Sequence, residues 1–557
     1  MIDAQYSPFR GLGGRYINYK QMKKLFLLIF IFVLSNTIFA KTYYIAPDGN
    51  DASGNGSVTA PYATFMKAQQ VVMAGDTVFA RGGTYYLKES DITHTVSLGP
   101  YKIVNYFNKS GSTVSKRIYY WAYPGEKPVF DFSAVKPAGH RVTAFFTTAS
   151  FIHFKGLEVI GVQVTITTHT QSECFRNQGS NNIYEQLSMH DGMANGFYLQ
   201  SGSNNLVLNC DAYRNWDNVS EDKKGGNVDG FGFHPGKGSA GNKISGCRAW
   251  FNSDDGYDCI NASESVLFEN CWAFYNGYST SFASLANGTG FKIGGYGQAP
   301  VVSKLPNPIP AFTVRFCLAF RNKANGFYAN HHVETGNYFY NNSAYRNAIN
   351  YNMLSQKITK STKTGNDTTL DCPGIRHILH NNLSYRYSSL KDTSNIGTST
   401  NTYNSFSPNS GVTVNSTDFT GLVEAELVAP RNPDGSLPDI SFMKLSATSD
   451  LIDKGKNLGF PFSGTAPDLG AFEYQPQTPL ESVSENKLTF YPNPVRERLT
   501  FTDNTIKNIE IFNMEGKCML NLNVTHSIDL SFLPRGIYMV RIKTENEKMI
   551  VSKFVKL

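Results

Sequence analysis

The chain has 557 residues, 41% of them hydrophobic and 17% charged, a balance that excludes a disordered, highly charged polymer. Its formal charge of +7 is terminal: residues 1–40 hold five basic and one acidic side chain and residues 487–557 eleven and seven, leaving 35 basic and 36 acidic between them. A body at about −1 is not a polybasic nucleic-acid binder, and the length suits one long repeat array with accessories.

In chain order, residues 1–40 form a leader. Lys23 and Lys24 precede the apolar run 25–34, followed by Ser35, Asn36 and Ala40. That is the layout of a secretory signal peptide, and the run is too short to span a bilayer. Met22 is the expected start. No other stretch reaches membrane-spanning length, so the mature body is expected to be soluble outside the cytoplasm. Residues 41–100 read as an N-terminal cap and first turns: a strand and turn at 43–49, a short amphipathic helix over 62–72, and strands at 76–79 and 82–85. The helix is expected to cover the open apolar end of a solenoid built by the residues after it.

Residues 101–475 repeat. Five segments end alike, in Ala212-Tyr213-Arg214-Asn215, Ala249-Trp250-Phe251-Asn252, Ala273-Phe274-Tyr275-Asn276, Ala319-Phe320-Arg321-Asn322 and Ala344-Tyr345-Arg346-Asn347. The asparagines are 37, 24, 46 and 25 residues apart, a basic turn of 24 or 25 with inserted loops. A second strand accompanies each: Asn195-Gly196-Phe197, Asp229-Gly230-Phe231, Asp255-Gly256-Tyr257, Thr289-Gly290-Phe291 and Asn325-Gly326-Phe327. Short strands broken by Asn and Gly predict an all-β chain, a right-handed parallel β-helix whose equivalent residues stack about 4.8 Å apart. The alanines would form one line and the asparagines an amide ladder. Cys210, Cys247, Cys271 and Cys317 would stack as small buried free thiols.

Stacking converts this alignment into proximity. Asp229 and Asp255 occupy one slot on successive turns, with Asp254 adjacent and Asp258 three residues on. Four carboxylates this close repel unless a cation joins them, and Ca²⁺ prefers such oxygen ligands. One turn later Gly290-Phe291-Lys292 aligns with Gly256-Tyr257-Asp258, setting Lys292 over Asp258. A lysine there is either an ion-pair partner or a base for removing a proton alpha to a carboxylate.

The strings 227–231, 252–258 and 287–295 resemble the pectate lyases of polysaccharide lyase family nine, and the likeness extends over most of 41–475. The resemblance implies calcium at Asp229, Asp254, Asp255 and Asp258, with the Ser253 carbonyl, and Lys292 as Brønsted base. It implies a calcium-dependent pectate lyase acting by β-elimination on 1,4-linked galacturonan, an acidic plant cell-wall polysaccharide. Rhamnogalacturonan is the alternative polymer. A galacturonan hydrolase of the same fold would also show Asn227-Val228-Asp229 and Asp254-Asp255, but its downstream Gly-His-Gly is missing from the body. A non-catalytic adhesin would leave Lys292 unexplained. The loops 216–228, 277–289 and 295–310 are expected to shape the subsites. His234, His331 and His332 lack metal-ligand spacing and are expected at the surface or on sugar, while Arg321 and Arg346 are candidates to meet substrate carboxylates.

Residues 467–474 are expected to finish the last turn, and 476–486 to be a linker. Residues 487–557 alternate with period two in short runs broken by Pro492, Pro494, Gly516 and Pro534, predicting a small β-sandwich. Tyr491-Pro492-Asn493-Pro494, 511–517 and 533–538 resemble the sorting domain of the type nine secretion system. That implies export across the outer membrane of a Gram-negative cell, to the medium or the cell surface. A monomer is expected.

Overall fold

The computed structural model describes residues 40–96, 101–476, 490–502, 505–513, 517–523, 526–545 and 549–557. The expected leader before Ala40 and nearly all of the linker expected at 476–486 lie outside the described residues. The chain divides into two units, Met1–Tyr474 and Gln475–Leu557.

In the larger unit each turn contributes one short strand to each of three sheets, of 12, 10 and 11 strands. The 12-stranded sheet runs from Thr42–Ile45 to Thr400–Thr402, the 10-stranded from Gly83–Lys88 to Leu383–Tyr385, and the 11-stranded from His94–Val96 to Lys391–Ser394. Within these three sheets only His94–Val96 pairs antiparallel, with Tyr101–Phe107; the sequence predicted the parallel stacking of the rest.

The bends arise from residues that tolerate left-handed backbone. Between the 12- and 10-stranded sheets stand Asn209, Gly246, Asn270, Phe316, Asn341 and Asn381, all at positive φ. Asn and Gly adopt this conformation at low cost. The next bend carries Arg214, Phe251, Tyr275, Arg321 and Arg346 at positive φ, each preceding a ladder asparagine. Asn215 Nδ2 donates to Asn252 Oδ1, Asn252 to Asn276, Asn276 to Asn322 and Asn322 to Asn347, at 2.9–3.1 Å. Each also donates to a strand carbonyl, such as Asn276 to Ala249 O, so the buried amides are paired within the coil.

Ala212, Ala249, Ala273, Ala319 and Ala344 are register partners in one inward line. Phe231, Tyr257, Phe291, Phe327 and Tyr351 stack across the interior at 4.6–5.2 Å between ring centres. Glycine between the acidic slot and the ring is required: a Cβ on Gly256 would lie 2.7 Å from Gly290 O and 2.9 Å from Asn276 Nδ2. The four stacked cysteines are buried and free.

Helix Phe65–Val71 closes the N-terminal end, its start capped by Thr64 Oγ1 accepting from Lys67 N. Phe65 sits 5.4 Å from Tyr120 and from Phe130. At the other end the expectation for 467–474 is corrected. After Thr400–Thr402 the chain adds no further strand to the coil but runs back over the outer face of the 10-stranded sheet. Phe419, Leu427, Phe442, Leu451 and Leu469 there cover Trp272, Phe320 and Leu383. Asp211 pairs with both Arg248 and Arg431, tying this strap to the sheet.

The smaller unit holds a three-stranded sheet of Phe490–Tyr491, Arg498–Phe501 and Ser527–Asp529. It also holds a four-stranded one of Ile506–Asn513, Cys518–Asn523, Gly536–Thr544 and Met549–Lys556, all antiparallel. Val495, Leu499, Ile511, Ile528 and Val540 are among its core residues. Among the described residues no helix is long and apolar enough to cross a membrane.

Candidate active site

The site grows out of a second polar ladder on the 11-stranded sheet. At the slot before each glycine stand Asn195, Asp229, Asp255 and Thr289, and the side-chain oxygen of one turn accepts the backbone N–H of the next. Asp229 N donates to Asn195 Oδ1 (2.9 Å), Asp255 N to Asp229 Oδ1 (3.2 Å) and Thr289 N to Asp255 Oδ1 (2.7 Å). Asparagine serves this purpose as a neutral group. Aspartate on two successive turns does the same with one oxygen and keeps the other free, so a structural ladder becomes a pair of half-used carboxylates.

Asp258 joins them from the outward line of the neighbouring strand. Oxygens of Asp229, Asp255 and Asp258 lie within 4.8 Å of one another, and all three residues are buried. Asp255 Oδ2 receives no hydrogen bond, though Lys292 Nζ stands 3.1 Å from it. Asp258 and Lys292 are register partners, and Nζ lies 3.1 Å from Asp258 Oδ2. Asp254 is outside the converging set, with Oδ1 accepting from Asn287 N. The Ser253 carbonyl accepts from Ala286 N, so one of its lone pairs is taken.

Crowding sets the electrostatics. Burial and the neighbouring carboxylates push Asp229 well above the usual carboxylate range and Asp254 up to about 8. Burial pulls Lys292 down, but the carboxylates around it outweigh that and hold it well above an ordinary lysine. Three buried carboxylates whose oxygens converge within 4.8 Å form a hard, anionic oxygen set, which fits a divalent cation.

Gly232, Asp258, Lys292 and Tyr328 are partners in the same outward line. His234 lies beside them: its Nε2 is buried without a partner, its Nδ1 is 3.4 Å from Tyr198 Oη, and burial lowers its pKa. His331 pairs with Asp371. His332 contradicts the surface expectation. It is fully buried, burial lowers it to about 4, and its Nδ1 accepts from Gly295 N inside the coil. Arg321 and Arg346 are also corrected as substrate ligands. They stand at the bend after the 10-stranded sheet, where both bind the Glu424 carboxylate of the strap.

A family model described as the Pel9A-like, right-handed β-helix region matches residues 43–369. The chain belongs to this Pel9A-like family. Pectate lyase L of Dickeya dadantii (strain 3937) is 34% identical over 440 residues, 78% of this chain and 90% of that one. A solved rhamnogalacturonan lyase aligns with a TM-score of 0.68 at 45% identity, covering 73% of this chain and 97% of its own. Pectate lyase Pel9A gives 0.62 and 33%, covering 79% and 98%. Residues 489–556 match the secretion system C-terminal sorting domain. The Pel9A-like coil is thus right-handed, as the repeat predicted, and the chain carries an export signal at its tail.

Sequence alignment brought Asp229, Asp255, Asp258 and Lys292 together. It passed over Asn195 and Thr289, the ladder members that orient the two aspartates, and Tyr198 and Tyr328, which extend the site's outward line. Their signal was available: each tyrosine directly succeeds a stacked aromatic, as Lys292 succeeds Phe291.

Proposed function

We propose that this chain is a calcium-dependent pectate lyase that cleaves 1,4-linked galacturonan by β-elimination, with Lys292 as the base. The observation that carries this reading is Lys292 Nζ held 3.1 Å from both Asp255 and Asp258, at the rim of three converging carboxylates. Asp229, Asp255 and Asp258 would hold the ion, with Asp254 behind them. Bound calcium would supply positive charge to a substrate carboxylate and to the enolate-like charge that develops beside it.

The chain's own residues account for the rest. Once the carboxylate charge is committed to a cation, the field that favours the Lys292 ammonium weakens, and a neutral Nζ accepts the C5 proton. The C5–H electrons form the C4–C5 double bond, and the C4–O bond breaks with its electron pair leaving on oxygen, which takes a proton. No water is consumed, and the product carries an ultraviolet-absorbing 4,5-unsaturated end. Support comes from the pectate lyase relatives and from the lack of the hydrolase pattern's Gly-His-Gly in the body. The sorting tail supports release or display at the surface of a Gram-negative cell.

A second reading keeps the chemistry and changes the polymer: the rhamnogalacturonan lyase is 45% identical, against 33% for Pel9A. Incubating polygalacturonate and rhamnogalacturonan side by side, with Ca²⁺ and with chelator, tests both. Unsaturated product from polygalacturonate that disappears with chelator supports the first reading. The same behaviour on rhamnogalacturonan alone supports the second, and saturated products that persist in chelator contradict both.

A further inference from the structure

Three turns from Asp258 towards the N-terminus, the outward line of the same sheet carries a basic, aromatic cleft. Register runs Arg176, Tyr198, Gly232, Asp258, Lys292 without a break. At about 4.8 Å per turn, Arg176 stands roughly 14 Å from Asp258 and 19 Å from Lys292, a distance spanned by several sugars and not by one. The cleft has a volume of about 250 Å³, with Tyr101, Phe146, Arg176, Gln178 and Gln200 on its walls.

The Arg176 guanidinium is sandwiched among rings, its carbon 4.5 Å from the centre of Tyr101, 5.6 Å from Phe146 and 5.8 Å from Tyr198. Its side chain is only 12% exposed, and Nε is buried with no hydrogen-bond partner. Nη2 donates to Gln200 Oε1 and Nη1 to Glu173 Oε1 at 3.4 Å, but a buried Nε–H left without an acceptor is costly, which points to a missing one. Glu173 does not fill that role. It is fully buried, its Oε2 takes the Thr143 hydroxyl at 2.6 Å, and its nearest approach to Arg176 is 3.4 Å. Burial raises the Glu173 pKa against the opposing pull of Arg176. Arg141 adds a second cation, donating to Tyr101 Oη. Between cleft and reacting centre the line is kept low by Gly232, where a Cβ would strike the Tyr198 ring at 2.9 Å.

We propose that this cleft is a distal subsite for the acidic polysaccharide, in which Arg176 binds a uronate carboxylate while Tyr101, Phe146 and Tyr198 carry the sugar faces. The inference rests on the lyase reading for the identity of the polymer, and it extends the binding face well beyond the residues that react. It makes the enzyme one that prefers long chains.

Two measurements on the full chain separate this subsite from the reading it rests on. Wild type, Arg176→Ala and Arg176→Lys are compared on galacturonate oligomers from three to eight sugars, by unsaturated product and, independently, by calorimetric binding in Ca²⁺. Melting temperatures check that each variant is folded. The expected loss on Arg176→Ala grows with length, reaching about 10–100-fold in kcat/KM and in affinity on the octamer and staying far smaller on the trimer. Arg176→Lys should recover part of it. If Arg176→Ala unfolds, Gln200→Ala and the lysine variant carry the same length test. Equal loss at every length, or no loss in octamer binding, overturns the subsite. Octamer binding that depends on Arg176 without any unsaturated product would retain the subsite and overturn the lyase reading.

Discussion

Lys292 and Asp258 face each other across adjacent strands of the 11-stranded sheet, with Nζ 3.1 Å from Oδ2 and the same nitrogen 3.1 Å from Asp255. Two carboxylates thus fix where the amine points, and a third, on Asp229, has an oxygen within 4.8 Å of theirs.

Asp258→Asn keeps the shape of this arrangement and removes one charge. It is expected to leave the melting temperature near that of wild type and to lower kcat/KM by about 10²-fold or more, since it weakens both the cation set and the orientation of Lys292. Steady-state rates at saturating Ca²⁺ distinguish the two contributions: a loss that added calcium fully reverses would assign Asp258 to the ion alone.

Calcium should act on the folded chain even without substrate. An ion that binds only the native state raises stability by RT ln(1 + [L]/Kd), about 2.7 kcal/mol at one hundred times Kd. Melting curves with Ca²⁺ and with chelator should therefore differ for wild type, and the difference should vanish in Asp229→Asn and Asp255→Asn. An unchanged calcium shift in both variants would place the ion elsewhere.

The strap over the 10-stranded sheet hangs on Asp211, whose carboxylate pairs with Arg248 and Arg431. Burial opposes its charge, but the two guanidiniums win and hold its pKa below the ordinary carboxylate value. A depressed carboxylate contributes stability that is present above the unfolded pKa and lost as pH falls through the folded one. Asp211→Asn should cost about 3 kcal/mol at neutral pH, as buried pairs do when one partner is removed. The gap from wild type in denaturant melts should close as pH drops below the unfolded-state pKa, about 3.9. A gap independent of pH would mean that the pair's charge is not what holds the strap.

Asn276 sits mid-ladder, accepting from Asn252 Nδ2 and donating to Ala249 O and Asn322 Oδ1. Asn276→Ala strands several buried polar groups at about 1–3 kcal/mol each, so a drop in melting temperature of several degrees is expected. Asn276→Ala melting with wild type would show that the ladder is ornamental.

The coil was legible in the sequence because its physics is repetitive. The bends need left-handed residues and the ladder needs an amide, so Asn and Gly recur wherever a turn closes, and aligning them aligned Asp229 with Asp255 and Asp258 with Lys292. What repeats least was hardest to read. The strap has no period, and its apolar residues match the outer face of one sheet, where Trp250, Trp272 and Phe320 gave no sign of being covered. Arg321 and Arg346 looked free for the same reason: Glu424, their partner, lies 103 and 78 residues away in sequence. His332 looked exposed because an interior histidine bonded to backbone leaves no pattern along the chain.

The most direct measurement is the ultraviolet absorbance of unsaturated product released from polygalacturonate in Ca²⁺, with rhamnogalacturonan in parallel, by wild type and by folded Lys292→Ala. Wild type should generate the chromophore on one of the two polymers, and Lys292→Ala should generate none while still gaining melting temperature from calcium. Substantial unsaturated product from the alanine variant would contradict the assignment of Lys292 as the base.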